Sequence, residues 1–407
     1  MKNYDVIIVG SGPAGLFAAL NIKNQKVLLL EKNKTLGKKL LISGAGQCNI
    51  THECEIKDFF SHYGDNSKFI KEALYRFSNM DLKAFLAINN IEIIIDKNNK
   101  IFPASYKADD ILKVLENNCI KNNVEIKTNT TVINIELSDN NFIVETKEQK
   151  LFAKVVVIAT GGKSYPATGS DGDGYAFAKN MGHTISAIKP ALTSVFVNSF
   201  AFSDISGISL PQKTISLYRN NKKIREHTGD IGFTHKGISG PGILDFSRFF
   251  EVNDLLKINL CGINPEALKI DLVKASETQG KTLAKNYLKK FSIPESLIIQ
   301  IFKQNNIDLE TKMAVISKEA RMAIISNLCE FKIPIDKVGS YNIAMVTAGG
   351  VSLNEVNSKT MESKIIKNLF FAGEVLDIDG DTGGYNIQAA FSTGYLCAAR
   401  INELSNM

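Results

Sequence analysis

The sequence predicts an α/β protein in which helices cover a parallel sheet. A β-branched apolar run, Val6 to Val9, is followed by glycines, by an Ala/Leu-rich helical stretch from Pro13 to about Asn24, and by a second apolar run, Val27 to Leu30. Helical spacing returns at Ser67 to Asn90 and at Ala108 to Asn122, and a short β-rich run follows each stretch. Such alternation is typical of a parallel sheet. The two later β-rich runs are Ile91 to Ile95 and Val124 to Ile126.

The rest of the chain predicts further domains. Three β-rich runs between Thr131 and Thr160, separated by polar turns, predict an antiparallel meander laid on the first sheet. Strand-like segments from Pro190 to about Cys261 predict a second, mainly β domain, and the helical spacing that follows predicts a small helical insertion. An apolar strand, Leu369 to Ala372, and a final helix from about Gln388 to Leu404 predict that the chain returns to the first domain. The expected division is 1–190 with 346–407, 191–264 with 331–345, and 265–330.

Composition excludes several classes of protein. The 407 residues are 44% hydrophobic and 22% charged, which is ordinary for a globular protein and excludes a disordered or collagen-like chain. The 48 basic and 42 acidic residues give a net charge of +6, and the basic residues are spread along the chain, so no nucleic-acid-binding arm is predicted. No apolar run approaches the ~18 residues of a membrane span, and the N-terminus lacks the pattern of a signal peptide. We expect a cytoplasmic protein.

The cysteines are scattered and contain no C-x-x-C pair. The sequence therefore has the spacing of neither a local redox dithiol nor a zinc ribbon, and no metal site is predicted. We expect them to be reduced. They are Cys48, Cys54, Cys119, Cys261, Cys329 and Cys397.

The GSGPAG motif at residues 10–15 has the context of a dinucleotide-binding fingerprint. It follows a strand, opens a helix, and precedes Glu31, at the end of the second strand, by 21 residues. Gly10 permits the tight turn, Gly12 lets the backbone approach a pyrophosphate, and Gly15 lets the helix pack closely on the strand. An acid at the ribose position favours NAD or FAD over NADP. A glycine-rich turn without a ligand is the alternative interpretation.

Two later segments resemble flavoprotein motifs and favour FAD. VVVIATGG at 155–162 is a buried strand that ends in glycines, and residues 368–394 form a strand, an acidic glycine-rich loop and a helix. In that resemblance Gly373, Glu374 and Asp377 approach the ribityl chain and pyrophosphate, and the helix start at 385–388 aims its N–H groups at the flavin pyrimidine edge. A helix N-terminus suits the negative charge that develops there on reduction. An ordinary loop before a helix is the alternative for Gly383-Gly384.

The sequence as a whole resembles a bacterial flavoprotein family. GKKLLISGAGQCNITH at 37–52, GDIGFTHKGISGPGILDFSR at 229–248, VTAGGV at 346–351 and TMESK at 360–364 are similar to the BaiN-like or aminoacetone-oxidase-like NAD(P)/FAD-dependent oxidoreductases. The resemblance covers essentially the whole chain. It implies a Rossmann-type FAD-binding domain of the glutathione-reductase type built from both ends of the chain, an inserted β-barrel-like domain, and a small helical domain.

The resemblance also implies which residues hold non-covalent FAD. The family commonly has Gly-Arg-Cys-Asn where this chain has GQCN at 46–49, so a fixed positive charge is lost at Gln47. No catalytic residue is assigned by the sequence. The expected cofactor contacts are Gly10, Ser11, Gly12, Pro13, Ala14, Gly15, Glu31, Lys32, Lys39, Ser43, Gly44, Gln47, Cys48, Asn49, Ala159, Thr160, Gly161, Gly162, Gly373, Glu374, Asp377, Gly384, Tyr385, Asn386, Ile387 and Gln388.

Three polar residues invite a catalytic interpretation. Cys48 is expected to be a small buried residue that packs against the cofactor rather than a redox thiol. His235 is either a proton donor or a structural histidine. Ser239 lacks the strand-to-helix elbow of a hydrolase nucleophile, so nucleophilic catalysis is rejected.

The sequence leaves three function classes open. The first is an oxidoreductase that passes hydride from transiently bound NADH or NADPH through FAD to an organic acceptor or oxygen. The family name suggests reduction of a C=C bond in a steroid-like small molecule, or amine oxidation. The second is a flavin-dependent RNA-modifying protein, which the even spread of charge disfavours. The third is a non-catalytic flavin-binding sensor.

Overall fold

The computed structural model describes residues 3–96, 98–139 and 141–405. The helices in these ranges are α1 (Pro13–Asn21), α2 (Lys38–Leu41), α3 (Ile56–Phe59), α4 (Ser67–Arg76), α5 (Asn79–Ile88), α6 (Ala108–Lys121), α7 (Asp173–Asn180), α8 (Pro241–Phe246), α9 (Pro265–Thr278), α10 (Ala284–Leu288), α11 (Glu295–Gln304), α12 (Lys318–Cys329) and α13 (Tyr385–Ser405). None of these helices combines the length and the apolar character needed to cross a membrane.

The strands in the same ranges are mostly short. They are β1 (Asn3–Val9), β2 (Val27–Leu30), β3 (Thr51–His52), β4 (Ile93–Ile95), β5 (Lys100–Pro103), β6 (Glu125–Lys127), β7 (Val132–Ser138), β8 (Asn141–Thr146), β9 (Lys150–Ile158), β10 (Lys189–Ala191), β11 (Val195–Phe196), β12 (Ser209–Arg219), β13 (Lys222–Thr234), β14 (Gly237–Ser239), β15 (Leu255–Asn259), β16 (Phe331–Pro334), β17 (Lys337–Val338), β18 (Val346–Ala348) and β19 (Leu369–Phe371).

The chain forms two compact units, residues 1–191 with 341–407 and residues 192–340. The first unit contains a mixed sheet in the order β6-β2-β1-β9-β8-β7, with β19 also paired to β9. The pairs β1–β2, β1–β9, β2–β6 and β9–β19 are parallel. β2 and β19 are fully buried and the C-terminal halves of β1 and β9 are buried, as expected for strands covered on both faces, whereas β6 at the end of the order is half-buried. β19 is the strand that brings the C-terminal part of the chain back to the first sheet.

Three expectations about this unit need correction. The run Ile91 to Ile95 forms β4, which pairs with β5 in a separate three-stranded antiparallel sheet and not in the parallel one. The meander is not laid on the first sheet, because β9 pairs with β1 and so makes β7 and β8 part of that sheet. The helix predicted from Ser67 to Asn90 is two helices. Ser78 caps α5, and a reciprocal hydrogen-bond pair with Asp81 ends the continuity with α4.

The second unit is built on an antiparallel sheet in the order β16-β15-β12-β13-β14-β11-β17. β16 and β17 lie at opposite ends of this order, yet only residues 335–336 separate them in the chain. So short a connection spans about 11 Å at most, so the sheet must curl until its two ends are close, as in a barrel. Helices α9 to α12 share one hydrophobic core with this sheet, which includes Ile215, Leu256, Leu272, Ile298 and Leu328.

We predict that a buried histidine lowers the stability of the first unit in mild acid. His183 is buried, with its Nε2 2.8 Å from the Ser363 hydroxyl, and burial lowers its pKa below the ordinary value of 6.5. Below pH 6.5 the unfolded chain therefore binds a proton that the folded chain does not, and the free energy of unfolding falls as the pH decreases. Denaturant titrations at pH 7.5 and 5.5 should show this loss.

The control for this prediction is a second histidine. His183→Gln should flatten the pH dependence, whereas His235→Gln, at an exposed turn of the second unit, should leave it as in the unaltered protein. An unchanged pH dependence in His183→Gln would contradict the prediction.

Candidate functional site

The parallel strands of the first unit end together at one edge of the sheet. Val9 is paired with both Leu30 and Ile158, and Ile158 is paired with Phe371. Each of these four residues is the last of its strand. Carboxyl ends of parallel strands are where such sheets bind ligands. Gly10, Glu31 and Ala159 directly follow β1, β2 and β9, and Gly373 follows β19 by two residues. All four residues belong to the predicted cofactor segments.

Glycine is required at two positions of the fingerprint because backbone lies directly against them. Gly10 has φ +103°, and a Cβ there would lie 2.5 Å from the carbonyl oxygen of Ala159. A Cβ on Gly15 would lie 1.9 Å from the Gly10 carbonyl oxygen. The turn therefore packs α1 against the ends of β1 and β9, as the fingerprint predicts.

Gly12 has a different environment. It precedes α1 with an ordinary φ of −68°, and no atom lies within 4 Å of where its Cβ would be. The first turn of α1 carries no acidic side chain, and no side chain caps it. Open space beside the N-terminus of a helix is what a pyrophosphate requires, so these residues fit the ADP half of a dinucleotide.

Glu31 is a buried carboxylate held by four hydrogen bonds. Its Oε2 accepts from the Ser11 backbone N–H (3.2 Å) and hydroxyl (2.5 Å), and its Oε1 accepts from the backbone N–H (2.8 Å) and side-chain amide (2.7 Å) of Asn33. These bonds fix the carboxylate at the end of β2. Asn33 was not predicted, since an asparagine in a turn carries no distinguishing sequence signal.

Both lysines that were predicted to contact the cofactor form ion pairs with carboxylates of the protein. Lys32 Nζ lies 2.6 Å from Asp171 and 2.5 Å from Asp173. Lys39 Nζ lies 2.8 Å from Glu374 Oε2, whose other oxygen accepts from the Thr347 backbone N–H at 2.8 Å. Lys39 and Glu374 are 335 residues apart in the chain, so the structure brings two of the predicted segments together.

The glycines after β9 also lie against this cluster. A Cβ on Gly162 would lie 2.5 Å from the Thr347 hydroxyl and 2.6 Å from Glu374 Oε1. The Thr160 hydroxyl is buried and has no hydrogen-bond partner among the described residues. An unpartnered hydroxyl at the strand edge is consistent with a bound ligand that supplies the partner. Thr347 was missed by sequence reasoning because nothing in VTAGGV identifies its hydroxyl.

The segment at 43–49 is a tightly turned loop. Gly44, Ala45 and Cys48 have φ between +55° and +59°, and the Ser43 hydroxyl donates to the Leu40 carbonyl. Cys48 is fully buried, and burial raises the pKa of its thiol to about 11. A thiol of this kind is a packing residue rather than a nucleophile. Gln47 is exposed.

The start of α13 lies against β3. A Cβ on Gly384, which has φ +99°, would lie 2.6 Å from the Thr51 carbonyl oxygen. The Gln388 side chain accepts from the Thr51 hydroxyl (2.7 Å) and donates to the Phe77 carbonyl (3.1 Å). The Asn386 side chain bonds the backbone of the loop before the helix. Both side-chain amides form hydrogen bonds within the protein. We therefore expect Asn386 and Gln388 to contact a cofactor through their backbone groups and not through their side chains.

The other predicted residues of this region occupy varied surroundings. Ile387 and Asp377 are half-buried, and the Asp377 carbonyl accepts from the Asn66 side chain at 2.6 Å. Ala14 is buried, and three further residues are half-buried: Pro13, Asn49 and Gly161. Their contacts with a cofactor stay predictions.

Two histidines that sequence reasoning missed stack on the buried ring of Tyr385. The His62 ring lies 4.0 Å from the Tyr385 ring, centroid to centroid, and the His52 ring lies at 5.1 Å. His62 Nδ1 is 3.0 Å from Asp381 Oδ2, and His52 Nδ1 is 3.2 Å from the Gly383 carbonyl. Burial lowers the pKa of His52 below the ordinary histidine value. The cluster therefore lies directly beside the Gly383-Gly384 turn.

The polar candidates of the second unit have ordinary surroundings. His235 is exposed at the turn between β13 and β14. The Ser239 hydroxyl accepts from the Ser194 hydroxyl at 2.9 Å. Across the described ranges, no group of three or more His, Cys, Asp or Glu side chains is placed to hold a metal ion.

The family described as "HI0933-like protein Rossmann domain" matches residues 4–400. The chain belongs to this family. The resemblance and the Rossmann-type fold predicted from the sequence are thereby confirmed.

Individual relatives are similar over nearly their whole length. The chain is 30% identical to a 3-dehydro-bile acid delta(4,6)-reductase of Clostridium scindens, over 97% of this chain and 98% of that protein. It is also 30% identical to a ribosomal RNA dihydrouridine synthase of Haemophilus influenzae, over 98% of each. A solved 3-ketosteroid-Δ4-(5α)-dehydrogenase of Rhodococcus jostii is 14% identical, with a TM-score of 0.50 over 98% of this chain and 96% of that one. That likeness shows a shared fold.

We predict that the two helix-start glycines of the family fingerprint respond differently to alanine. Gly12→Ala places a methyl group in open space, so the protein should unfold at the same temperature without cofactor but retain much less FAD. Gly15→Ala forces α1 away from Gly10, so it should lower the stability by several kcal/mol. Flavin absorbance per protein and thermal unfolding of the cofactor-free protein measure the two effects.

Gly232→Ala in the second unit is the matched control, since its added Cβ would meet atoms only at 3.9 Å. It should change neither quantity. Full FAD retention by Gly12→Ala would mean that the pyrophosphate does not lie at α1.

Proposed function

We propose that this FAD-dependent oxidoreductase reduces a carbon–carbon double bond conjugated to a carbonyl group, with NADH or NADPH as electron donor. The observation that carries the proposal is the convergence of the fingerprint, the glycines after β9 and Glu374 at the edge where the parallel strands end. Bound FAD supplies hydride-transfer chemistry that side chains cannot supply. The use of FAD and the oxidoreductase activity follow from membership of the family.

The names of the relatives support this reaction. A 3-dehydro-bile acid delta(4,6)-reductase is named for reduction of ring double bonds in a 3-oxo steroid, and a dihydrouridine synthase for saturation of a uracil ring. In both rings the reduced bond is conjugated to a carbonyl. Hydride addition to one carbon then places negative charge on the carbonyl oxygen, and the other carbon needs a proton. The two named reactions therefore share one chemical step, reduction of a carbon–carbon double bond conjugated to a carbonyl, although their substrates differ.

The protein's contribution to holding FAD follows from the site. Gly12 and the first N–H groups of α1 receive the pyrophosphate, and the fixed carboxylate of Glu31 receives ribose hydroxyls. The N-terminus of α13 presents positive dipole where Gly384 turns the chain against Thr51. These roles and a cytoplasmic location stay predictions of this proposal.

The histidine cluster supports the proton half of the reaction. A carboxylate only accepts hydrogen bonds, so the hydrogen of His62 that faces Asp381 is on Nδ1, and Nε2 is the atom that exchanges protons with a substrate or water. The His62 side chain is 34% exposed, which leaves it accessible. Burial lowers the pKa of His52, so that its imidazole binds a proton less readily and is less often in the protonated form that a proton donor needs. We assign proton delivery to His62, with Asp381 as its positioning residue.

We predict that the purified protein carries flavin absorbance that NADH or NADPH bleaches without oxygen. Addition of a 3-oxo-Δ4 steroid to the reduced protein should restore the bands and yield the saturated ketone. An anaerobic spectrum followed by mass spectrometry of the product measures both steps. Bands that no pyridine nucleotide bleaches, and that no enone restores after chemical reduction, would contradict the proposal and favour a flavin-holding sensor.

A uracil ring in RNA is the second candidate acceptor. The H. influenzae relative is named a ribosomal RNA dihydrouridine synthase, and the similarity to it covers 98% of each chain. The same anaerobic protein is mixed with uridine-containing RNA. Reoxidation by RNA and not by the steroid, with a rate that falls steeply with salt, would identify RNA as the substrate. It would also overturn the expectation that the chain binds no nucleic acid.

We predict that His62→Gln lowers the rate of substrate reduction about 100-fold while leaving flavin reduction by NADH or NADPH unchanged, because a general acid acts only in the second step. Asp381→Asn should shift the pH dependence of that step. Stopped-flow absorbance separates the two half-reactions.

His235→Gln is the competing variant, since sequence reasoning also allowed that histidine as proton donor. If His235→Gln slows substrate reduction and His62→Gln does not, the assignment to His62 is wrong. Flavin content measured for every variant ensures that a lost cofactor is not mistaken for a lost proton donor.

A further inference from the structure

Two cysteines of the second unit lie in contact although they are 68 residues apart in the chain. Cys329 is the last residue of α12, and Cys261 follows β15 by two residues. Their Sγ atoms are 3.5 Å apart, which is a thiol–thiol hydrogen bond. The pair lacks the local C-x-x-C spacing of a redox dithiol, so no sequence motif indicates it.

The backbone holds the two cysteines at this distance. The N–H groups of Leu260 and Cys261 both donate to the Leu328 carbonyl, at 2.8 Å and 3.2 Å. The end of β15 is thereby bonded to the residue next to Cys329. A disulfide requires the sulfurs to approach to about 2.05 Å, so about 1.5 Å must be closed. Side-chain rotation and a small backbone shift supply such a movement.

The two thiols differ in reactivity. Cys261 is half-buried and therefore accessible, whereas Cys329 is 6% exposed. The hydrogen bond from Cys329, with further bonds from the backbone near Ile263, lowers the pKa of Cys261 to about 7, and the same contact raises the pKa of Cys329. Cys261 is therefore the nucleophile at neutral pH, and Cys329 keeps its proton until a bond to Cys261 forms.

The other cysteines are poor competitors for an oxidant. Burial raises the pKa of the Cys48 and Cys54 thiols to about 11 and of Cys119 to about 12, and it raises the pKa of Cys397 as well. Of these, Cys54 alone is half-buried and the rest are buried. Oxidation should therefore be selective for the pair.

We propose that Cys261 and Cys329 form a reversible intramolecular disulfide when the protein meets a low-molecular-weight disulfide. The Cys261 thiolate attacks one sulfur of the small disulfide, and a protein–small-molecule disulfide forms as one small thiol leaves. Cys329 then attacks the Cys261 sulfur and gives up its proton, and a second small thiol leaves. The protein loses two electrons and two protons, and one small disulfide becomes two thiols.

The product would fasten the C-terminal end of α12 to the end of β15. Both ends contribute to the core of the second unit, where Leu328 and Ile258 are fully buried. The modification site lies in residues 192–340, outside every segment that is expected to contact FAD. It is independent of the proposed reaction.

The test is oxidation of the full-length protein with oxidised glutathione at pH 7.5, followed by alkylation of free thiols and peptide mapping. We expect a single crosslink between the peptides that contain Cys261 and Cys329, a mass lower by two hydrogen atoms, and full reversal by dithiothreitol. Cys329→Ser should trap one glutathione on Cys261, while Cys261→Ser should take up at least tenfold less at Cys329.

Cys54→Ser is the matched control, because it removes the other half-buried thiol, and it should crosslink as the unaltered protein does. Three results would overturn the proposal: glutathione on Cys54 in preference to Cys261, accumulation of a Cys261 adduct without a crosslink in the unaltered protein, or an unmodified Cys261 in Cys329→Ser. Circular dichroism of each variant confirms that the fold is retained.

Discussion

Close packing of three backbone segments at the sheet edge is the constraint on which the first unit depends. The Gly10 turn lies against Ala159, and α1 begins so close to that turn that Gly15 has room for a hydrogen only. Because backbone meets backbone here, the start of α1, the end of β1 and the end of β9 cannot move independently. Gly12, which lies between these two glycines in the chain, faces open space instead.

Two hydrogen-bonded carboxylates, the buried Glu31 and the half-buried Glu374, lie in the site around that packing. Glu31 is fixed by Ser11 and Asn33, and Glu374 is fixed by Lys39 and the Thr347 backbone. Removing a carboxylate from water is costly unless its oxygens are hydrogen-bonded, and these partners supply those hydrogen bonds. The two acids come from distant parts of the chain, and they follow β2 and β19, which lie in one sheet.

Sequence reasoning succeeded where the signal is local. The runs that form β1, β2 and β9 are apolar because both faces of a parallel strand are buried. The helical spacing from Ala108 to Asn122 predicted α6 to within one residue, because apolar residues recur on one face of that helix. It failed at β4, since a run of isoleucines reads the same in either kind of sheet and only its partner β5 decides. It missed the break between α4 and α5 because helical spacing continues through Ser78.

The sequence by itself determined the fold class, the family and the strand–turn–helix that begins the site, because apolar periodicity and glycine spacing act over a few residues. Only the tertiary structure decided which side chains meet. His62 reaches Asp381 across 319 residues, and Cys261 reaches Cys329 across 68. Neither contact produces a local sequence pattern, because the packing of sheets and helices determines which distant residues meet. Contacts between distant segments depend on that packing, and it exists only once the whole chain has folded.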